Sequence, residues 1–415
     1  MLPFTARSTA MTDADLKDPD LYLHAVPYAR FAALRQRSPL IWNPETDGAG
    51  FWSVLGYEDI TAISKDPKTF SSAYANGGHR IFNENERGVG DLGSSAIGIP
   101  FISTDPPLHR AYRAAVLPGL KLGRVREMED RLRARIAGLL DKVETFGGEF
   151  DFVQHIAAPF PLMTLAELFG VPVSDIDKLY EWSNALVGED DPTLRISPEQ
   201  AAATMGEMLA YASALFDARR AEPQDDIISM LAHGQLDGEP ISRADFLGTF
   251  ILLLVGGNET TRNSIAHGMV AFTQNPAQWA LLRARPELMP LAVREILRYA
   301  SPVLHMRRTA TRDVTVNGQA VRKGDKLVLW YASGNRDETV FKAPDSFDIT
   351  RDERLHLSFG TGEHTCLGNR LAEVQIALMF DALLKRFPRL RITGEGRRLR
   401  SNFINGYLEL PARWD

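Results

Sequence analysis

Within FGTGEHTCLG, residues 359–368, stands Cys366, the one cysteine among 415 residues. A lone thiol excludes an internal disulfide framework, and Cys/His spacing of the zinc-finger type is absent. Cys366 is therefore either a small buried hydrophobe or a site of chemistry. Gly360, Gly362 and Gly368 favour chemistry, because residues without a Cβ let the backbone approach another body closely and take positive φ, which a structural cysteine does not require. The residues after Gly368 read as a helix. Cys366 thus lies just ahead of unpaired backbone N–H groups and the positive end of a helix dipole, a place suited to an anionic sulfur ligand. Two more pairs have the spacing to act together. Glu295 and Arg298 are three apart, hence on one helix face, where an ordinary ion pair is worth ~0.2–0.5 kcal/mol. In LLLVGGNETTRN, Glu259 precedes Thr260, an acid beside an alcohol, and the plain alternative is a threonine bonded back to its own helix carbonyl.

The elements that must position these residues are mostly helical. Composition, with 44% hydrophobic and 24% charged residues, is that of a globular protein and excludes disordered and fibrous classes. The net charge of −6 argues against nucleic acid as a general partner. From residue 107 apolar positions recur at helical spacing with Pro or Gly at the ends. A long helix begins near Ser242, where Ser242 and Asp245 resemble a capping box with a shorter acid, and it stops before Pro276; its apolar middle predicts a buried central helix. Strands and turns follow residue 301, with Asn317–Gly318 as a hairpin turn. A last long helix follows the cysteine loop. Residues 71–98, rich in glycine and without clear period, read as a long functional or mobile loop. With no repeat and no linker, residues 1–415 are expected to form a single domain, mainly α with small β-sheets. The N-terminus lacks an apolar run of signal-peptide length, and the run at 246–257 is too short to span a bilayer. Neither secretion nor a membrane anchor is expected, and a cytoplasmic location suits the unpaired thiol.

Phe359, Gly360, Gly362, His364, Cys366 and Gly368 together resemble the haem-binding loop of the cytochrome P450 superfamily. The resemblance extends over most of the chain from about residue 100. It implies the cytochrome P450 fold, with haem b between the long central helix and the cysteine-loop helix. The Cys366 thiolate becomes the iron ligand, Phe359 packs beside it, and His364 reaches a haem propionate. Gly256 and Gly257 remove side chains where a ligand presses on the central helix, and a local widening of its hydrogen-bond ladder makes a groove. Glu259 and Thr260 become the proton-delivering pair, although many family members have Asp where Glu259 stands. Glu295 and Arg298 become the buried ExxR pair. The usual third partner is an arginine at the position occupied by Ser346, leaving Arg351 as a replacement. His109 and Arg113, four apart in STDPPLHRAYR, and Arg307 match the segments that neutralise the propionates.

By the same analogy the substrate pocket is bordered by the loop at 71–98, the helices around 170–215, Gly256, Val303, Leu304, His305, Met306, Phe403 and Ile404. These side chains imply a largely hydrocarbon substrate, and the resemblance is to members oxidising sterols, terpenoids and alkyl chains. His305 offers either one hydrogen bond to a polar end of the ligand or a turn contact. The chain has no flavin motif and no cysteines for an iron–sulfur cluster, so a ferredoxin with its NAD(P)H-dependent reductase is implied as donor. Arg110, Lys121, Arg124, Arg126 and Arg370 form a basic set for it, on a protein expected to be a monomer. The leading expectation is a monooxygenase using dioxygen. The alternatives are a haem-thiolate sensor or carrier, which has no need of Glu259 and Thr260, a peroxide-driven peroxygenase, and a helical binding protein without haem.

Overall fold

The computed structural model describes residues 15–46, 48–81, 97–187, 191–352 and 356–415. The middle of the loop expected at 71–98 and the three residues before His356 thus lie outside the described residues.

The central helix runs Arg243–Gln274, capped by the Ser242 side chain accepting the Asp245 N–H, as the serine and its acid predicted. It packs against helices Pro159–Phe169, Met289–Ala300 and Asn369–Arg386, and its buried residues occur around most of its circumference. Close packing has a sequence cause at two points. A Cβ on Gly248 would come within 2.2 Å of the Gly98 carbonyl oxygen, and one on Gly257 within 2.8 Å of Leu165. Gly256 is different: it is exposed, and nothing lies within 4 Å of where its Cβ would be. Only one of the two adjacent glycines therefore opens a space, because neighbours on a helix face different ways. The expected widening is also absent, since the helix is α-helical throughout its 32 residues.

Strands supply the second body of structure. Leu40–Asn43, Phe51–Val54, Lys326–Trp330, His305–Ala310 and Phe70–Ser71 form a five-stranded sheet in that order. Their side chains alternate: Phe51, Val328 and Trp330 enter one apolar cluster, Trp52, Leu327 and Leu329 the other. The Asn317–Gly318 turn closes the expected hairpin, both residues at positive φ (46° and 75°) as a type I′ turn demands. No helix among the described residues is long and apolar enough to cross a membrane.

A buried network ties these parts to the cysteine loop. Arg298 donates to both carboxylate oxygens of Glu295, at 2.8 Å each, and its remaining N–H groups reach the carbonyls of Asn335, Pro344 and Ser346. Arg351 completes the set, 3.2 Å from the Glu295 carboxylate, so the place left open by Ser346 is filled five residues later. Asn335 then fixes the start of the loop, accepting from the Leu357 N–H and donating to Ser358 Oγ. The loop closes on itself through Gly360 N–H to Leu357 O and Cys366 N–H to Phe359 O, both at 2.8 Å. Gly360 and Gly362 have φ of 63° and 73°, as expected, whereas Gly368 caps the last helix at φ −88°. At Gly362 the need for glycine is double, because a Cβ there would also lie 2.3 Å from the Ser64 carbonyl oxygen. Gly362→Ala should destabilise the protein by about 1–3 kcal/mol through backbone strain alone. A shift in the urea midpoint with an unchanged slope would measure it, and an unchanged midpoint would contradict it.

Candidate active site

The Cys366 thiol is exposed, yet surrounding protein desolvates it and pushes its pKa up, against the smaller lowering influences of the Gly368 N–H and Arg113. The helix-end field expected to favour thiolate is therefore outweighed by desolvation in the chain by itself. Phe359 is partly buried against the main core, its ring 5.4 Å from that of His356.

Beside the loop, His364 and His109 lie face to face, ring centroids 3.9 Å apart. His364 Nε2 and His109 Nδ1 are both buried without a hydrogen-bond partner. Desolvation, then Arg113, holds His109 down to about 4. Desolvation, then Arg308, His109, Arg113 and His79, holds His364 down to about 2. The sequence brings His109 and Arg113 here on one face of helix Leu108–Leu120. The strand residue in this cluster is Arg308, where Arg307 was expected. Arg308 is buried, hydrogen bonded to Tyr331, and acts on both histidines. Arg307 reaches the Asn76 carbonyl and Thr309 instead. Adjacent strand residues point to opposite faces, so a shift of one position in reading RR exchanges the two sides. Tyr331 and the alternation of the strand were the available signals.

On the central helix, Thr260 Oγ donates to the Gly256 carbonyl at 2.8 Å, on the stripe that includes the exposed Gly256. The adjacent Glu259 is buried and paired with Arg262 Nη1 at 3.0 Å, a partner sequence reasoning missed. Arg262 also donates to Tyr407 O and Asn184 Oδ1, while its Nε and Asn258 Oδ1 remain without partners. The i,i+3 spacing of ETTR was the signal. A small cavity lies here between the helix, Asn184 and the C-terminal hairpin at Leu399 and Tyr407.

Of the expected pocket residues, Val303 and Ile404 form a β-bridge and share an apolar cluster with Leu399, Leu194, Met306 and Phe403. Leu304 turns away, fully buried with Leu16, Phe31 and Trp330. His305 also turns away: Nδ1 faces the Asn402 carbonyl at 3.0 Å, Ile81 N–H approaches Nε2 at 3.5 Å, and Trp330 and Phe403 pack on its ring. Burial holds it down to about 3, a neutral core histidine.

Of the basic set, Arg110 pairs with Glu363, Arg124 with Glu127 and Asp225, and Arg370 with Glu373; Lys121 and Arg126 are exposed. Leu117 and Leu122, each 42% exposed, lie along the same stretch.

A model of the Cytochrome P450 family matches residues 42–395. Linalool 8-monooxygenase of Pseudomonas putida is 51% identical, over 96% of this chain and 98% of its own length. Steroid C26-monooxygenase of Rhodococcus jostii is 38% identical, over 96% and 84% respectively. A Mycobacterium marinum cytochrome P450 solved in complex with pseudoionone superposes with a TM-score of 0.90 at 32% identity, covering 98% of this chain and all of that one, 100%.

The Glu259–Arg262 pair generates a stability test. Removing one member of a buried pair leaves an uncompensated charge, typically costing about 3–5 kcal/mol. Arg262→Met alone should therefore lower the denaturation midpoint sharply, and Glu259→Gln with Arg262→Met should recover much of the loss. Equal midpoints for the single and double variants would show that the pair is not coupled.

Proposed function

The chain belongs to the cytochrome P450 family, whose cofactor is haem b, and from that premise we propose how its residues serve a monooxygenase acting on a terpenoid-type hydrocarbon. The residues present fit the cofactor. Two buried imidazole nitrogens without partners, on His109 and His364, stand with Arg113 and Arg308 where carboxylate side arms need donors. The observation that carries the reading is the Cys366 thiol, exposed yet desolvated by the protein around it. When bound, haem supplies activation of dioxygen and insertion of one oxygen atom into a C–H bond, the other leaving as water.

The chain's own groups have these roles. Cys366, as a thiolate, would hold the haem iron, with the Gly368 N–H and Arg113 favouring the anion. His109, Arg113, His364 and Arg308 hold the propionates, Arg308 taking the role first read for Arg307. Phe359 and Gly368 shape the loop around the ligand, and Glu295, Arg298 and Arg351 hold that loop in place. Thr260 presents its hydroxyl on the open stripe and passes a proton at Oγ. Glu259, restrained by Arg262, relays the replacement proton from solvent through its carboxylate. Gly256 leaves room for the substrate, while Val303, Met306, Phe403 and Ile404 keep water from it. The likeness to linalool 8-monooxygenase and steroid C26-monooxygenase supports a terpenoid or sterol-like skeleton.

A ferredoxin, reduced by an NAD(P)H-dependent reductase, supplies electrons to this chain, which acts as a cytoplasmic monomer of one domain. Its docking surface is the stretch carrying Arg110, Lys121, Arg124, Arg126 and Arg370, with Leu117 and Leu122 as apolar contacts.

Cys366→Ala should abolish the carbon monoxide band of thiolate-bound haem, and its persistence would overturn the assignment. Thr260→Ala should retain that band and substrate affinity while losing product per NAD(P)H consumed, since positioned proton transfer contributes about 10²–10⁴ in rate. Unchanged product yield would remove Thr260 from the reaction.

Reversing Arg126 and Lys121 to Glu should slow reduction by ferredoxin mainly through association, leaving substrate affinity intact. The wild-type rate should fall as salt rises, since exposed charges are screened beyond about 8 Å at physiological ionic strength, and the variant should respond less. Equal salt slopes in stopped-flow reduction would place the donor elsewhere.

A further inference from the structure

We propose that His79 is a specificity-determining residue, its Nε2–H donating a hydrogen bond to the oxygen of an otherwise hydrocarbon substrate lying against Phe403. The inference rests on the monooxygenase reading above and adds a polar anchor to an apolar pocket. His79 precedes the undescribed part of the loop and is itself held firmly. Its carbonyl accepts the Arg307 N–H at 2.6 Å, and its Nδ1 lies 2.7 Å from Ser103 Oγ.

That second contact assigns the tautomer. Ser103 is buried, and among the described residues its hydroxyl has no acceptor other than His79 Nδ1. An undonated buried hydroxyl is costly, so Ser103 donates and the ring proton resides on Nε2. Desolvation, then the nearby Arg80 and Arg308, hold the ring down to about 3, so at neutral pH it is an uncharged donor. The half-buried ring sets its edge against Phe403, centroids 6.3 Å apart, and Phe403 belongs to the cluster with Val303 and Ile404. His305, on the other side of Phe403, has both nitrogens engaged, which leaves His79 rather than His305 to meet a ligand oxygen. A propionate is the other oxygen that Nε2 could meet, since His79 is near enough to act on His364, but His109, Arg113, Arg308 and His364 already supply four groups for it. Arg80 covers one face of Phe403, 5.7 Å from the ring centroid, so a hydroxyl reaches the neutral His79 donor at the margin of the apolar cluster.

The test uses the haem-loaded protein and two probes, linalool and the hydrocarbon in which its hydroxyl is replaced by hydrogen, with dissociation constants from spectral titration. His79→Phe should weaken linalool about tenfold, the worth of one net hydrogen bond, and leave the hydrocarbon nearly unchanged. Ser103→Ala keeps the imidazole but frees its tautomer, so it should weaken linalool by a smaller factor and the hydrocarbon not at all. Rates of haem loss to a scavenger should stay at the wild-type value in both variants. Equal weakening of both probes, or no weakening, overturns the proposal. Faster haem loss with an unchanged ratio of the two constants overturns it in favour of a propionate contact. If neither probe perturbs the wild-type haem spectrum, the terpenoid reading itself fails.

Discussion

His109, Arg113, Arg308 and His364 are held against one another in a place poor in water, and that assembly sets conditions for its surroundings. Desolvation first, and the neighbouring guanidinium groups after it, make a proton harder to keep, which is why both imidazoles are driven far below their ordinary range. Such a gathering has a cost in the chain by itself, and a dianionic cofactor held there, as proposed, would offset it. Loading and folding are therefore thermodynamically linked, since whatever binds the folded state alone stabilises it. The raised thiol of Cys366 fits the same account: like the histidines, it rests in a protonation state that a cofactor bound as proposed would alter.

The lock built on Glu295 explains how so exposed a thiol can sit on so irregular a loop. Three side chains, Glu295, Arg298 and Arg351, convert an i,i+3 pair into a buried junction that grips the carbonyls of Pro344 and Ser346. Through the Asn335 carbonyl it reaches the residue whose side chain anchors Leu357 and Ser358. Positioning of Cys366 is thus inherited from a helix end and a turn far along the chain. A buried ion pair is weak evidence for stability, but here it fixes one register for a segment that has little regular structure of its own.

Much of this was legible in the sequence where a local rule acts without competition. The lone cysteine among glycines, the Ser242 cap, the Asn-Gly hairpin and the Glu295–Arg298 spacing all express constraints that extend over a few residues. What was illegible depends on which way a side chain turns. Arg307 and Arg308, Leu304 and Met306, Gly256 and Gly257 differ by a position or two and by the face they present. Apolar and basic residues occupy both faces there, so periodicity could not choose between them. Arg262 was missed for another reason: an arginine three residues after an acid is ordinarily a surface partner, and only burial by the C-terminal hairpin makes the pair tight.

Gly256 has a consequence for how such a site changes over generations. A position in the interior normally resists enlargement, because packed neighbours must move. At Gly256 nothing stands within 4 Å of the missing Cβ, and the backbone is already helical, a conformation in which alanine is favoured over glycine by roughly 0.5–1 kcal/mol. With Gly256 bordering the substrate as proposed, a methyl added there would take up guest volume while displacing no protein neighbour. Size selectivity and folding would then be separable traits at Gly256, open to change one at a time.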